Sequence, residues 1–273
     1  MIRARLAALV AAFALAVAHA AEPVAFVADL RGAATVEGDG KVGFLAELPA
    51  GTRLLLGTGA RVVVTYAATG AEFTLNGPGE FSVEATEVRA AKGAQPAKRM
   101  VQALADPGVV ARTARTATAS LRMRGVRPEG PKTALEYPVD APVATLQPVL
   151  RWRGDPNAGA FTVTLTDSAG TPLWKGTTPS TNVKAGVKLA PARGYRWTVA
   201  TAQGPVGEAR FETLPAEAIA LADRSRAGAK TFSQRIMHAF VLAGVGASQD
   251  ARQAWAELAR ERPDLPELAA LAR

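Results

Sequence analysis

Residues 52–83 read TRLLLGTGARVVVTYAATGAEFTLNGPGEFSV. The stretch holds four runs with strand character: Thr52–Leu56, Arg61–Tyr66, Glu72–Leu75 and Glu80–Val83. Between them stand Gly57-Thr58-Gly59, Thr69-Gly70 and Asn76-Gly77-Pro78-Gly79, residue types whose backbone freedom or fixed φ suits tight turns. Phe73 and Leu75 lie two apart and share one face of a strand, as do Phe81 and Val83. Val62-Val63-Val64 is apolar without a break, the pattern of a strand covered on both faces. Short runs at this spacing predict a sandwich, a barrel or a solenoid-like β-fold.

Upstream, Val24–Leu30 and Ala33–Glu37 continue the pattern, with Gly38-Asp39-Gly40 and Pro49-Ala50-Gly51 as turns. Residues 21–88 are therefore read as one β-domain. Residues 141–214 are read as a second one. Its expected strands are Val149–Arg153, Ala160–Thr166, Pro172–Thr177, Val187–Leu189, Gly194–Ala200 and Glu208–Thr213. Six strands in so short a segment predict a small immunoglobulin- or fibronectin-type sandwich. Trp152, Trp174 and Trp197 are read as core mass. A carbohydrate-stacking platform is the other reading, strongest for Trp174 beside Lys175.

Residues 215–273 read as helical. Phe232, Ile236 and Phe240 form one apolar stripe, and Ala251, Ala254, Trp255, Leu258 and Ala259 form another. Gly244-Val245-Gly246 joins them, Ser248 is the expected N-cap, and a short helix is expected over Leu265–Leu271. The result is an αα-hairpin, expected to pack on the second β-domain or on a partner. The expected fold class is mainly β, with two small β-domains and a C-terminal helical hairpin.

The chain has 273 residues, 48% of them hydrophobic, enough for packed cores. It has no Cys, which excludes thiol catalysis, disulfides and thiolate metal centres. Residues 1–20, MIRARLAALVAAFALAVAHA, carry Arg3 and Arg5, a 12-residue apolar run and Ala18-His19-Ala20. They read as a cleaved secretory signal, which predicts a periplasmic or secreted protein with no transmembrane segment after cleavage. The exported chain then has 30 basic and 24 acidic residues, a net +6, and one histidine, His238. Between Arg89 and Lys132 stand ten basic residues and two acids, Asp106 and Glu129. The positive excess is thus regional, and residues 89–140 are read as a basic, Pro-containing linker. Arg112, Arg115, Arg122, Arg124 and Arg127 form a possible polyanion site there. No aromatics are interleaved for base stacking, so nucleic acid is not an expected partner. The other reading of this zone is a linker kept solvated by its charge.

Several segments carry a resemblance. They are Leu30-Arg31-Gly32-Ala33-Ala34-Thr35-Val36, Leu48-Pro49-Ala50-Gly51-Thr52-Arg53-Leu54 and Gly57-Thr58-Gly59-Ala60-Arg61-Val62-Val63-Val64. Thr69 through Leu75 and Gly77-Pro78-Gly79-Glu80-Phe81 complete the set. Together, over Asp29 to Val83, they resemble the periplasmic FecR-type domain. The resemblance implies an extracytoplasmic, non-enzymatic β-module used for protein contacts. Family members that regulate sigma factors carry a cytoplasmic segment and a transmembrane helix ahead of this domain. Neither is read here, so a relay across the membrane is not expected of this chain. Leu146-Gln147-Pro148-Val149-Leu150-Arg151-Trp152 and Tyr195-Arg196-Trp197-Thr198-Val199 resemble the fibronectin-like repeats that often follow such domains.

No nucleophile elbow, zincin helix or phosphate-binding glycine loop is present in the sequence. His238 lies between apolar neighbours and is read as structural. Glu80, Glu84 and Glu87, Glu22 with Asp29, and Glu37 with Asp39 are the carboxylate groupings available for acid–base work. Asp167-Ser168-Ala169-Gly170 reads as a hairpin turn rather than a calcium loop. The expected function is an exported, non-catalytic envelope protein that uses its β-modules to bind an envelope protein or an anionic envelope polymer, with signalling or assembly as candidate roles and no cofactor. The alternative is a carbohydrate- or peptidoglycan-active enzyme with a scattered carboxylate site.

Overall fold

The computed structural model describes residues 22–38, 40–100, 134–155 and 159–273. Residues 1–20, read above as a signal, and Arg112, Arg115, Arg122, Arg124 and Arg127 lie outside the described residues. Strand exceeds helix by 42% to 21%, so the fold is mainly β, with a C-terminal helical region.

The first unit holds ten strands. They are β1 (Pro23–Arg31), β2 (Ala34–Val36), β3 (Gly40–Lys41), β4 (Glu47–Pro49), β5 (Arg53–Leu56), β6 (Arg61–Thr65), β7 (Ala71–Asn76), β8 (Gly79–Val83), β9 (Val88–Lys92) and β10 (Ala97–Met100). Two antiparallel sheets form, in the orders β10-β7-β6-β1-β4 and β3-β2-β5-β8-β9. Val27, Leu48, Leu54, Val62, Val64, Leu75 and Phe81 fill the space between them. Val63 points the other way, into a second core with Phe26 and Ala28. The unbroken valine run is therefore covered on both faces, as its composition required. A Cβ on Gly77 would overlap the Gly57 carbonyl, so the β7–β8 turn needs glycine there.

Strands β9 and β10 extend this unit past the boundary drawn at residue 88. Arg89 pairs opposite Ser82 in β8, and Arg99 opposite Glu72 in β7. Both strands are outer members of their sheets, and β10 is exposed along its whole length. Edge positions need no apolar alternation, which is why the basic composition of this stretch masked them.

The second unit holds β11 (Leu135–Tyr137), β12 (Pro142–Val143), β13 (Val149–Trp152), β14 (Phe161–Asp167), β15 (Pro172–Thr178), β16 (Asn182–Lys184), β17 (Gly194–Thr201) and β18 (Gly204–Thr213). Its sheets run β11-β13-β16 and β12-β18-β17-β14-β15, with β12 parallel to β18. This is the order of an immunoglobulin-type sandwich. Trp152 and Trp197 are buried at its centre with Phe161. The Trp197 indole N–H donates to the Pro138 carbonyl at 2.8 Å. Trp174 is half-buried on the edge strand β15 and packs against the same core. The strand expected over Val187–Leu189 forms instead at Asn182–Lys184, where Val183 pairs opposite Leu150. Leu189 is still buried, but from a loop, with its N–H on the Leu146 carbonyl.

Tyr195 makes the tyrosine corner of this sandwich. Its hydroxyl accepts the Ala190 N–H at 2.9 Å and donates to the Ala190 carbonyl at 3.1 Å. Tyr195→Phe is expected to cost about 1–2 kcal/mol, since it leaves the Ala190 N–H without its partner while the carbonyl keeps the Thr213 hydroxyl at 2.7 Å. Urea unfolding of the two proteins measures it.

Four helices follow: α1 (Ala216–Gly228), α2 (Phe232–Gly244), α3 (Ser248–Glu261) and α4 (Pro266–Leu271). Thr231 and Gln234 form a reciprocal capping box at the start of α2. Ser248 is the first residue of α3 rather than its cap. Ala247 holds the cap position, with no side-chain hydrogen bond. The hairpin of α2 and α3 packs on the second unit, where α3 meets β12, and also on the first, where α2 lies on the outer face of the β1-containing sheet. Phe26, Ala28, Phe44, Leu45 and Val63 from the first unit meet Ile236, Phe240, Trp255 and Leu258 from the helices. Ala144 and Leu214 of the second unit join the same core. One apolar body thus ties the helices to both sandwiches. Among the described residues, no helix is long and apolar enough to cross a membrane.

Candidate functional site

The first turn of α3 meets the second sandwich, and the residues there are mostly polar. Asp250 accepts the Tyr137 hydroxyl at 2.5 Å on one oxygen and the Ala144 N–H at 2.8 Å on the other. Gln249 accepts the Val139 N–H at 2.9 Å. A carboxylate in the first turn of a helix also faces the positive end of the helix dipole. Burial raises the pKa of Asp250, and hydrogen bonds from Tyr137 and Ala144 oppose the rise. Burial, and then the Asp250 charge, push the Tyr137 hydroxyl above its ordinary range, so the proton stays on the phenol.

Beside this pin runs a groove of about 570 Å³, walled by β13 on one side and by α1, α2 and α3 on the other. Arg151, Arg226 and Arg235 line it, with His238, Gln253 and Glu257. Arg226 pairs with Asp223 at 3.0 Å and Arg235 with Glu261 at 2.6 Å. Arg151 lies over the Tyr137 ring, 4.8 Å from its centre, and donates to the Gln253 carboxamide at 2.7 Å. The groove thus holds three cations against Asp250, whose oxygens are engaged, and Glu257.

His238 is the imidazole of this wall. Its Nδ1 lies 2.6 Å from the Ser225 hydroxyl, and that hydroxyl lies 2.8 Å from the Ala222 carbonyl. A hydroxyl has one proton: spent on the Ala222 carbonyl, it leaves Ser225 to accept from Nδ1–H; spent on Nδ1, it makes the imidazole the acceptor. Ser225 is itself buried, so the pair locks α1 to α2 and does not present a nucleophile. The structural reading of His238 is thereby given a partner that the sequence did not reveal. Burial first, and the Arg226 charge second, lower its pKa to about 4. Asp223 and Glu257 pull the other way.

The unfolded chain takes up that proton near the ordinary 6.5. Between the two values the unfolded state holds more protons, so stability rises with pH there. The contribution is complete above that ordinary value and is lost as the pH falls toward about 4. Its size is about 2 kcal/mol after allowance for solvent in the groove. His238→Gln should flatten the stability profile over this window, as read by thermal unfolding at successive pH values.

Among the described residues, the carboxylate groupings seen in the sequence do not converge on a cleft. Glu80 pairs with Lys92, Glu87 with Arg89, and Glu84 with the Ser82 hydroxyl. Glu37 pairs with Arg53. Asp29 is buried on β1 between Arg262 and Arg61. Asp39 lies outside the described residues. Asp167 accepts the N–H groups of Ala169 and Thr171, as a hairpin turn should. Among the described residues, no group of three or more His, Asp or Glu side chains is placed to hold a metal ion.

Four members of the basic zone are described. Arg89, Lys92 and Arg99 are ion-paired with Glu87, Glu80 and Glu72, and Lys98 lies over the Phe73 ring. These contacts build the edges of the first unit. The residues of the groove come from five elements, and Arg151 and Gln253 are 102 positions apart, so sequence reading did not assemble it.

No protein-family model matches the chain, and no curated protein matches it. Architecture alone defines its class: two β-sandwiches joined through a helical layer, with an arginine-lined groove at the junction.

Proposed function

We propose that the protein is an exported, non-catalytic binding protein of the cell envelope, whose first unit is FecR-like and whose second is fibronectin-like. The observation that carries this reading is the single apolar core shared by the helices and both sandwiches. A shared core holds two recognition modules in fixed relation and leaves their outer strands, β10 and β15, open to contact among the described residues. Interfaces between modules are common places for ligand sites. The partner is an envelope protein or an anionic envelope polymer, and the groove supplies fixed positive charge for the second.

The test is capture from solubilised envelope with residues 21–273 as bait, at low and high salt, read by mass spectrometry and glycan analysis. Polymer retained at low salt and released at high salt is expected, because exposed charge attraction is screened. A protein retained at both salt levels would also support the binding role. Hydrolysis of purified peptidoglycan or polysaccharide by the same protein would overturn the non-catalytic reading.

A further inference from the structure

We propose that the groove between β13 and the helices is a receptor for an anionic sugar, that is, a hydroxylated ring carrying a phosphate or a carboxylate; this rests on the polymer-binding reading above. Four features of the groove specify that chemistry.

Arg151 supplies the first. Among the described residues it has no carboxylate in ion-pair contact, whereas Arg226 and Arg235 each have one. Two uncharged groups hold it instead, the Tyr137 ring and the Gln253 carboxamide. A guanidinium stacked and hydrogen-bonded in this way is fixed in direction while keeping unused donors, and its fork fits an oxyanion. Arg226 supplies the second feature. Its i,i+3 pair with Asp223 is more than half exposed on both sides, so the pair holds it weakly and leaves it free to turn to a ligand.

His238 supplies the third. In the tautomer that gives Nδ1–H to Ser225, Nε2 carries a lone pair on a ring that lines the groove. A neutral imidazole acceptor repels a bare anion and takes a hydroxyl donor, so it selects a ligand with both groups. Glu257 on the same wall is a further acceptor for a hydroxyl. The fourth feature is apolar. Val149, 40% exposed, and Ala254 offer surface to the C–H face of a ring. The volume of about 570 Å³ has room for one or two sugar units.

The test is calorimetric titration of residues 21–273 with glucose 6-phosphate, glucuronate, inorganic phosphate and glucose. At least one of the two anionic sugars should bind about tenfold or more tightly than both phosphate and glucose, since each control lacks half of the recognised chemistry. Preference for glucose 6-phosphate assigns the anion as phosphate, and preference for glucuronate assigns it as carboxylate. Arg151→Gln should lower that affinity about tenfold, and Arg151→Lys should not restore it, because a lysine lacks the fork and the stack. His238→Phe should narrow the margin between the sugar anion and inorganic phosphate. Arg226→Gln, on the exposed wall, repeats the affinity test should Arg151→Gln lower the melting temperature.

Equal binding of all four probes would sink the proposal. So would unchanged affinity for the anionic sugars in both arginine variants. If envelope polymer is still captured in either of those cases, only the groove assignment falls. If no polymer is captured either, the polymer-binding reading falls with it.

Discussion

Arg262→Met is expected to lower the free energy of unfolding by about 3–5 kcal/mol, the cost of leaving one member of a buried ion pair alone. Arg262 follows the last turn of α3 and is buried. Its guanidinium contacts Asp29, donates to the Leu30 carbonyl at 2.8 Å and reaches Asp264 at 2.8 Å. It also lies over the Phe232 ring, 5.2 Å from the centre. Asp264 and Asp29 both raise its pKa. A methionine keeps most of the stem packing on Phe232 but leaves Asp29 with Arg61 alone, at 3.5 Å and from a half-exposed side chain.

The argument predicts a particular non-additivity. In the double variant Arg262→Met with Asp29→Leu, no buried charge is stranded, so much of the loss should return. Chemical denaturation of the four proteins of the cycle measures this. A double variant as unstable as the sum of the singles would show that the pair holds by packing rather than by charge. Because Asp29 sits on β1 and Arg262 at the end of α3, the loss should appear first as detachment of the helices from the first sheet. Hydrogen exchange along β1 and α3 reports that directly.

Much of the fold was legible because local chemistry and burial agree there. Val62-Val63-Val64 is apolar on both faces because β6 lies between a sandwich core and a helix layer. Trp152 and Trp197 announced a core, and they fill it. The stripe Phe232, Ile236, Phe240 named the face of α2 that meets the first sheet. The failures occur where position in the fold outweighs composition. Arg89, Lys92, Lys98 and Arg99 are strand residues because an outer strand tolerates charge on its free side. Val187–Leu189 looked like a strand because loop residues can fill a core as well as strand residues can. Arg262, within Ala259-Arg260-Glu261-Arg262-Pro263-Asp264, carries no mark that separates it from its exposed neighbour Arg260. Its partner is 233 positions away. The groove is of the same kind: each of its residues is ordinary alone, and only the packing of α1, α2 and α3 beside β13 collects them.

Phe240→Ala is expected to cost about 3–5 kcal/mol as well, through a cavity rather than a charge. Phe240 is fully buried on α2. Its ring meets Phe26 of β1 at 5.9 Å and Trp255 of α3 at 5.0 Å, both edge-on, with interplanar angles of 87° and 72°. Edge-on aromatic pairs contribute about 0.5–1.5 kcal/mol each beyond burial. Rigid strands on one side and a paired helix on the other limit collapse of the space left behind. The two sandwiches have cores of their own that exclude Phe240, so they should survive the change. Thermal unfolding followed by far-ultraviolet circular dichroism should therefore lose its helical signal about 10 °C earlier than the parent. The environment of Trp152 and Trp197, followed by near-ultraviolet dichroism, should persist beyond that point. Coincident loss of both signals at the lower temperature would mean that the sandwiches cannot stand without the helices. In that case the shared core is the keystone of the whole chain, and the two β-units are not independent modules that the helices hold in register.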